Sequence, residues 1–293
     1  MKIASYNIHY AIGKDERYDL DRVIDAVRGA DIIALQEVER YYDTPHSPAQ
    51  PEDIAALLPD YFWVYDAAFD IDCSEKRPDG QIVNRRRQHG QMLLSRWPIV
   101  SKRYFPLPRL HCADEFNMQM GALEGLVDTP LGRLRIYNVH FGSVLADERR
   151  LQAARIIELV RAAPAEGGAW SGPNGEYSER DWCAGIPEPG LPASAIVLGD
   201  FNLRPASAEY RLLCAAADDD GTALLTDLWA RHNPGREIMS WHSNPAKPGP
   251  AACALLDYCL VTSDLLETVA DCWIDEAAAG SDHQPLWVRF RDY

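Results

Sequence analysis

A chain of 293 residues, 47% of them apolar, is long enough for one large core or two small ones, and no apolar run approaches the length of a membrane span. Its formal net charge of −15 repels phosphate polyanions, which argues against tight, non-specific duplex binding and suits clustered carboxylates that take a divalent cation. Cys73, Cys112, Cys183, Cys214, Cys253, Cys259 and Cys272 form no CxxC pair and no zinc-type spacing with histidine, and read as free thiols of a reducing cytoplasm.

The chain begins with Lys2-Ile3-Ala4-Ser5-Tyr6-Asn7-Ile8-His9, which alternates like a strand and puts Asn7 and His9 on one face. No signal-peptide pattern precedes Ile3, which agrees with a cytoplasmic location. Asn7 reads as turn chemistry at a strand end or as a site amide, and His9 as an ordinary, partly buried imidazole. Leu20, Val23, Ile24 and Val27 predict an amphipathic helix over 19–28, with Asp19 as N-cap and Gly29 as its end. Asp31 to Val38 is a short apolar run with Gln36 and Glu37 at its exit. That suits a strand buried on both faces, with Glu37 either a surface acid or a site group.

Residues 40–60 hold several prolines and predict a loop with a short helix near Ile54–Leu58. Tyr61 to Tyr65 reads as an aromatic strand. Asp70 to Gly90 is polar, with a turn at Pro78-Asp79-Gly80 and three adjacent arginines, Arg85, Arg86 and Arg87. That run is either phosphate-binding or a solvated edge strand. Gln91–Leu94 reads as a strand, Ser95–Pro98 as a turn and Ile99-Val100 as the start of another edge. Gly121–Val127 and Leu134–Val139 flank a hairpin turn, and Asn138 and His140 share a face at the exit of its second strand. Asp147 to Val160 predicts a helix. Ala163 to Ala193, rich in Gly, Pro and Ser and carrying Trp170, Tyr177 and Trp182, is long for a loop. Strand–helix alternation resumes after it, so it reads as an insertion in a single domain over 1–293.

Ile196-Val197-Leu198-Gly199-Asp200-Phe201-Asn202 ends a buried strand on a glycine that lets the backbone turn. Asp200 can hold a cation or take a proton, and Asn202 can donate to an oxyanion. Ser207–Leu213 predicts a helix, Asp218 to Gly221 a solvated acidic turn, and 245–250 a loop. Met239-Ser240-Trp241 is a short strand. Trp241 joins Arg85, Arg86 and Arg87 as a candidate substrate contact. Leu255 to Val261 reads as a strand with Asp257 inside it, a position that costs free energy unless the acid is paired. Asp282 and His283 stand at the mouth of the last strand, Leu286 to Phe290.

Six strand-like segments therefore end in, or carry, groups suited to metal and phosphate chemistry: Asn7, Glu37, His140, Asp200 with Asn202, Asp257, and Asp282 with His283. This set resembles the endonuclease/exonuclease/phosphatase superfamily, which includes pancreatic-type deoxyribonucleases, apurinic endonucleases, inositol polyphosphate 5-phosphatases and neutral sphingomyelinases. Gly-Asp-Phe-Asn at 199–202 and Ser-Asp-His-Gln-Pro at 281–285 are the most specific blocks. Tyr6-Asn7-Ile8-His9, Leu35-Gln36-Glu37-Val38, Leu94-Ser95-Arg96, Tyr137-Asn138-Val139-His140 and Asp257-Tyr258 support them in the expected order.

The resemblance implies a four-layer α/β sandwich, with two facing, mostly antiparallel sheets and helices outside. It implies Glu37 as the main Mg²⁺ or Mn²⁺ ligand, helped by Asn7, with Asp282 a metal-site or water-holding acid. It implies Asp200 as the group that orients or deprotonates the attacking water, and Asn202 as the amide on a phosphoryl oxygen. His140 and His283 would contact the scissile phosphate, and Asp257 would orient one of them. Mg²⁺ takes oxygen ligands and usually only one or two carboxylates, and phosphoryl transfer mostly requires positioning and charge neutralisation. Two departures bear on the substrate. Met120 and Leu255 stand where many relatives carry a basic residue, and Arg85 to Arg87 are the available substitutes. The expected activity is a Mg²⁺- or Mn²⁺-dependent phosphoesterase acting by water attack on a small or lipid-linked phosphodiester or phosphomonoester. A DNA or RNA nuclease of the same fold is the alternative, with nucleic acid a less favoured partner. A non-catalytic binding protein ranks third, because every polar group of the core set is present.

Overall fold

The computed structural model describes residues 1–42, 49–167, 169–172, 182–190, 192–243 and 252–291. In chain order the first half runs β1 (Lys2–Asn7), α1 (Leu20–Val27), β2 (Ile32–Arg40), α2 (Gln50–Leu57), β3 (Phe62–Asp72), β4 (Glu75–Lys76), β5 (Ile82–Val83), β6 (Arg86–Ser95), β7 (Ile99–Pro106), β8 (Gly121–Thr129) and β9 (Gly132–His140). The second half runs α3 (Ala146–Glu166), β10 (Ala195–Asp200), α4 (Ala208–Cys214), β11 (Thr226–Asp227), α5 (Leu228–His232), β12 (Trp241–His242), β13 (Cys253–Ala254), β14 (Asp257–Val261), β15 (Val269–Ile274) and β16 (Leu286–Phe290).

Two six-stranded sheets form, in the orders β15-β16-β1-β2-β6-β3 and β11-β14-β10-β9-β8-β7. Each is antiparallel except for one pair, β1 with β2 and β9 with β10. The sheets face each other, with β1 against β10 and β2 against β9. Strand periodicity sorts the side chains: Ile3 enters the core shared with the second sheet, while Ala4 and Tyr6 enter the core under α1 and α2. Helix α3 covers the other sheet through Ala153, Ile156 and Val160. This is the layered α/β sandwich that the resemblance implied. Because both parallel pairs point the same way, Asn7, His140 and Asp200 end their strands close together, with Gln36 of β2 level with Asn7.

Helix α1 starts where predicted, with Asp19 Oδ1 accepting from Arg22 N at 2.9 Å, and it is followed by Gly29 at φ +94°. Helix α3 runs past Val160 to Glu166, so the irregular stretch starts at 167 instead of 163. Its last turn includes Pro164 and is capped by the buried Arg135 guanidinium, which donates to Ala163 O at 3.0 Å. Asp257 opens β14 instead of lying inside a longer strand, since Leu255 and Leu256 precede the ladder. Strand β3 extends to Asp72, and β6 begins at Arg86. Much of the polar stretch is therefore a two-stranded arm, in which Arg86 and Arg87 pair with Asp72 and Ile71, in line with the solvated-strand reading. Tyr177 and the predicted loop at 245–250 fall outside the described residues.

Candidate active site

Glu37 owes its orientation to a β-bulge. The register of β2 on β6 shifts between Gln36 and Val38, and Glu37 adopts φ 60°, which turns the extra residue out of the ladder. The partner at that level is Gly90, where a Cβ would stand 2.0 Å from Asp66 O. Beneath the bulge, Gln36 Nε2 donates to Asn138 Oδ1 at 2.7 Å, and Asn138 Nδ2 donates to Leu35 O and Met92 O at 2.9 Å each. These bonds tie the two sheets together just below Glu37 and His140.

Asn7 Nδ2 donates to both Glu37 Oε1 (3.0 Å) and Asp200 Oδ2 (2.9 Å). Asp200 Oδ1 accepts from Asn202 N at 2.8 Å, across a turn in which Gly199 is at φ +145° and has no room for a Cβ against Val139 O. Asn202 Nδ2 donates to Phe141 O at 2.9 Å. His140 Nε2 lies 3.6 Å from Asp200 Oδ2 and 3.9 Å from Glu37 Oε1, and His283 Nε2 is also 3.6 Å from Asp200 Oδ2. His283 Nδ1 sits 2.8 Å from Asp257 Oδ2, which also accepts from Ser240 Oγ at 2.6 Å. Ser281 Oγ donates to Asn7 O at 2.7 Å and accepts from His283 N, which links the last strand to the first. Trp241 Nε1 donates to Asp282 Oδ2 at 3.0 Å.

Burial sets the charge states. It pushes the Asp200 carboxyl well above the usual range, and the Asp257 charge adds to the effect while His283 opposes it. Burial works against protonation of His283, but Asp257 and Asp200 outweigh it and hold this imidazole protonated far above its ordinary range. His140 goes the other way: burial lowers it to about 4, and Glu37 only partly compensates. His89, whose ring centroid lies 6.0 Å from that of His140, is likewise held to about 4 by burial.

These groups line a cavity of about 530 Å³, within the range of small-molecule sites. Glu37, His140, Asp200, Asn202, Trp241, Asp282 and His283 line it directly. Asn7 and Asp257 stand behind them as partners of Glu37, Asp200 and His283. Arg85, Arg86 and Arg87 do not line it. Met120 does, and the cations on its wall are Arg149 and Arg204, with Glu209 beside them. Sequence reasoning missed those three because they sit on or beside helices, where charge ordinarily faces water. His9 also faces the cavity, as does Tyr10, whose phenol the Glu37 charge, followed by burial, holds well above its ordinary range.

A hard cation fits the donor set at Glu37. Its Oε2 is buried and makes no close hydrogen bond, with the Tyr10 phenol as the carboxylate's neighbour, a costly state for a carboxylate oxygen that an oxygen-seeking divalent ion relieves. Asp200, Asp257 and His283 also bring ligand atoms within 4.8 Å of one another. There, however, His283 Nδ1 is committed to Asp257, both Asp200 oxygens already accept hydrogen bonds, and only Asp257 Oδ1 is buried without a partner. That trio suits proton handling better than it suits a hard ion.

The family model described as Endonuclease/Exonuclease/phosphatase family matches residues 4–169 and 175–283. No curated protein matches the chain. Among solved structures, an endonuclease/exonuclease/phosphatase from Beutenbergia cavernae is 20% identical, with a TM-score of 0.65 over 98% of this chain and 70% of that one. A mannosyl-6-phosphatase from Bacteroides thetaiotaomicron is 17% identical, with a TM-score of 0.61 and full coverage of both chains, 100% each. The 3′ phosphatase NExo from Neisseria, bound to a product DNA hairpin, is 17% identical with a TM-score of 0.58, again covering 100% of each chain. At these identities the likeness is one of fold.

Proposed function

The chain belongs to the endonuclease/exonuclease/phosphatase family, and from that premise we propose that it is a divalent-metal-dependent phosphoesterase hydrolysing a small phosphodiester or phosphomonoester by attack of water. The observation that carries the reading is the orphaned, buried Glu37 Oε2 beside Asp200 and two histidines in one cavity. Glu37 would hold Mg²⁺ or Mn²⁺, with Asn7 orienting it and Asp282 near the same site; when bound, the ion neutralises charge on the phosphoryl oxygens. Asp200, its basicity raised by burial, is suited to take a proton from water near neutral pH. Protonated His283 offers its Nε2–H to a phosphoryl oxygen, and Asp257 fixes the ring from the other side. Asn202 keeps a second amide N–H for the same purpose beside its bond to Phe141 O. His140 is neutral and serves as a hydrogen-bonding partner at the other side of the phosphate.

A compact substrate suits this chain better than a duplex. A duplex binder makes many phosphate contacts, whereas this chain carries −15 net charge, and Arg85 and Arg86 are already paired with acids. The mannosyl-6-phosphatase and the 3′ phosphatase among the relatives of like fold bring monoester cleavage within the reading. Cys73, Cys112, Cys214, Cys253, Cys259 and Cys272 are free thiols, which supports a reducing, cytoplasmic setting. The test is turnover of p-nitrophenyl phosphate and bis(p-nitrophenyl) phosphate. EDTA should abolish it, Mg²⁺ or Mn²⁺ should restore it, and Glu37→Gln should raise the metal concentration required by about tenfold or more. Full turnover in EDTA would sink the proposal.

A further inference from the structure

We infer that the wall of the cavity built by α3 and α4 binds the alcohol half of the substrate and selects a compact, polyhydroxylated one, a sugar or polyol phosphate. The inference rests on the phosphoesterase reading above.

Arg149 is fixed from three sides. Its Nη1 donates to Gly142 O and Ser143 O at 3.0 Å each, and its Nε lies 3.4 Å from Glu209 Oε1, with the two side chains only 14% and 9% exposed. Yet that Nε is buried without a hydrogen-bond partner. Both residues line the cavity, so a donor group and an acceptor group of fixed position form part of its wall. Ser143 and Ser207 add hydroxyls to the same wall.

Charge decides what this wall reads. Glu209 offsets Arg149, so the pair is close to neutral, and a second phosphate would meet the carboxylate as well as the guanidinium. A hydroxyl satisfies both at once, accepting from the guanidinium and donating to the carboxylate. Neighbouring hydroxyls on one ring extend the match to Ser143 and Ser207. Arg204, exposed on the same lining, adds a cation beside this pair. Across the cavity, the Trp241 indole, fixed by its bond to Asp282, presents a flat apolar surface to the C–H face of a small ring. A lipid chain or a simple alkyl group would find a charged, polar wall on one side with nothing to offer it.

The experiment compares kcat and KM for hexose monophosphates and inositol monophosphate with those for cyclohexyl phosphate, a saturated-ring ester that lacks further hydroxyls. At least one polyol ester should be preferred about tenfold or more in kcat/KM, as expected of a site built to hydrogen-bond hydroxyls. Glu209→Gln and Arg149→Lys should each erase most of that preference through KM, while Glu158→Gln, on the exposed outer side of α3, should preserve it. Binding of the same esters in EDTA, read by calorimetry, should weaken in parallel. The inference is overturned by a wild type with no polyol preference, by a preference that survives both variants, or by equal losses on polyol and cyclohexyl esters. If the wild type cleaves neither bis(p-nitrophenyl) phosphate nor any ester tested, the phosphoesterase reading fails and the subsite falls with it. If it cleaves bis(p-nitrophenyl) phosphate without discriminating among alcohols, only the subsite fails.

Discussion

The cavity floor and the arm formed by β3 and β6 are both dense in charge, and they handle it in opposite ways. On the floor the charges come from separate strands and the segments beside them, lie nearly out of water, and are held by hydrogen bonds reaching across the chain, such as Asn7 to Asp200 at 2.9 Å. On the arm the charges are neighbours in sequence and lie in the open. Arg85 pairs with Glu75 at 3.1 Å and Arg86 with Asp70 at 2.7 Å, and Arg87 Nε donates to Tyr41 O at 3.2 Å. Dispersed charges that converge in space are costly to bury, so they report chemistry. A contiguous run that pairs with its own hairpin reports solvation.

The sharpest test of this contrast is removal of one floor charge at a time. Asp200→Asn and His283→Ala should each lower kcat by roughly 10²-fold or more, the scale of acid–base or electrostatic groups. Neither replacement empties an apolar core, so circular dichroism and thermal unfolding should still report a folded protein. Near wild-type kcat in a folded variant would remove that residue from the chemical step.

The parts of the floor that were legible in the sequence are those where a continuous apolar run stops on a polar residue. Ile32 to Leu35 before Glu37 and Ile196 to Leu198 before Asp200 are such runs, because burial on both faces leaves no polar position until the strand exits. Helix α1 was legible from its spacing and from Asp19 as cap. The Glu37 bulge was not, since it depends on the pairing of β2 with Gly90 across the sheet. Arg149 and Glu209 were hidden because a polar residue in a first helical turn looks the same whether it meets water or a cavity. Even Glu148, fully buried and bonded to Leu110 N and Asn117 Nδ2 at 2.7 Å each, carries no local signal of burial. The arm read only as a polar stretch with a turn and one solvated-strand alternative, because both faces of its outer half are wet, which removes the period-two apolar pattern. Strand β15 was not read at all, because Asp271 interrupts its apolar alternation.

Glu39 sits between the two regions, two residues past Glu37 and on the side that feels Arg87. It is 7% exposed, and burial, followed by the Glu37 charge, raises it to about 8, with Arg87 opposing. The folded protein therefore keeps a proton at neutral pH that the unfolded chain has lost above the ordinary value of 4.5. The sign follows: this group's stability contribution is complete below that value and is lost as pH rises through about 8. His89 and His140, held to about 4, act oppositely, with stability rising as pH climbs from there to their ordinary value. Glu39→Gln keeps a neutral side chain at every pH. In urea unfolding its advantage over wild type should widen from pH 5 to pH 8 by up to about 1.4 kcal/mol per unit. Parallel profiles would mean that Glu39 titrates as a surface acid, and that the floor's desolvation does not reach it.

The smallest expected effect is the one that could break the contrast. Replacing Arg85, Arg86 and Arg87 together by alanine removes three cations from an acidic chain, yet each is bonded within the arm or its neighbouring loop, and none lines the cavity. Exposed ion pairs contribute about 0–1 kcal/mol each, so the melting temperature should fall slightly. On a small phosphate ester kcat/KM should stay within about twofold of wild type at both low and high salt, because a cation that does not touch the phosphate acts only through a screened field. A substrate-binding role would give a different pattern: kcat/KM down by about tenfold, mostly in KM, and a shallower dependence on salt, since fewer counterions would be released on binding. A loss of that size without loss of fold would move substrate recognition out to the arm and make the two charged regions parts of one site.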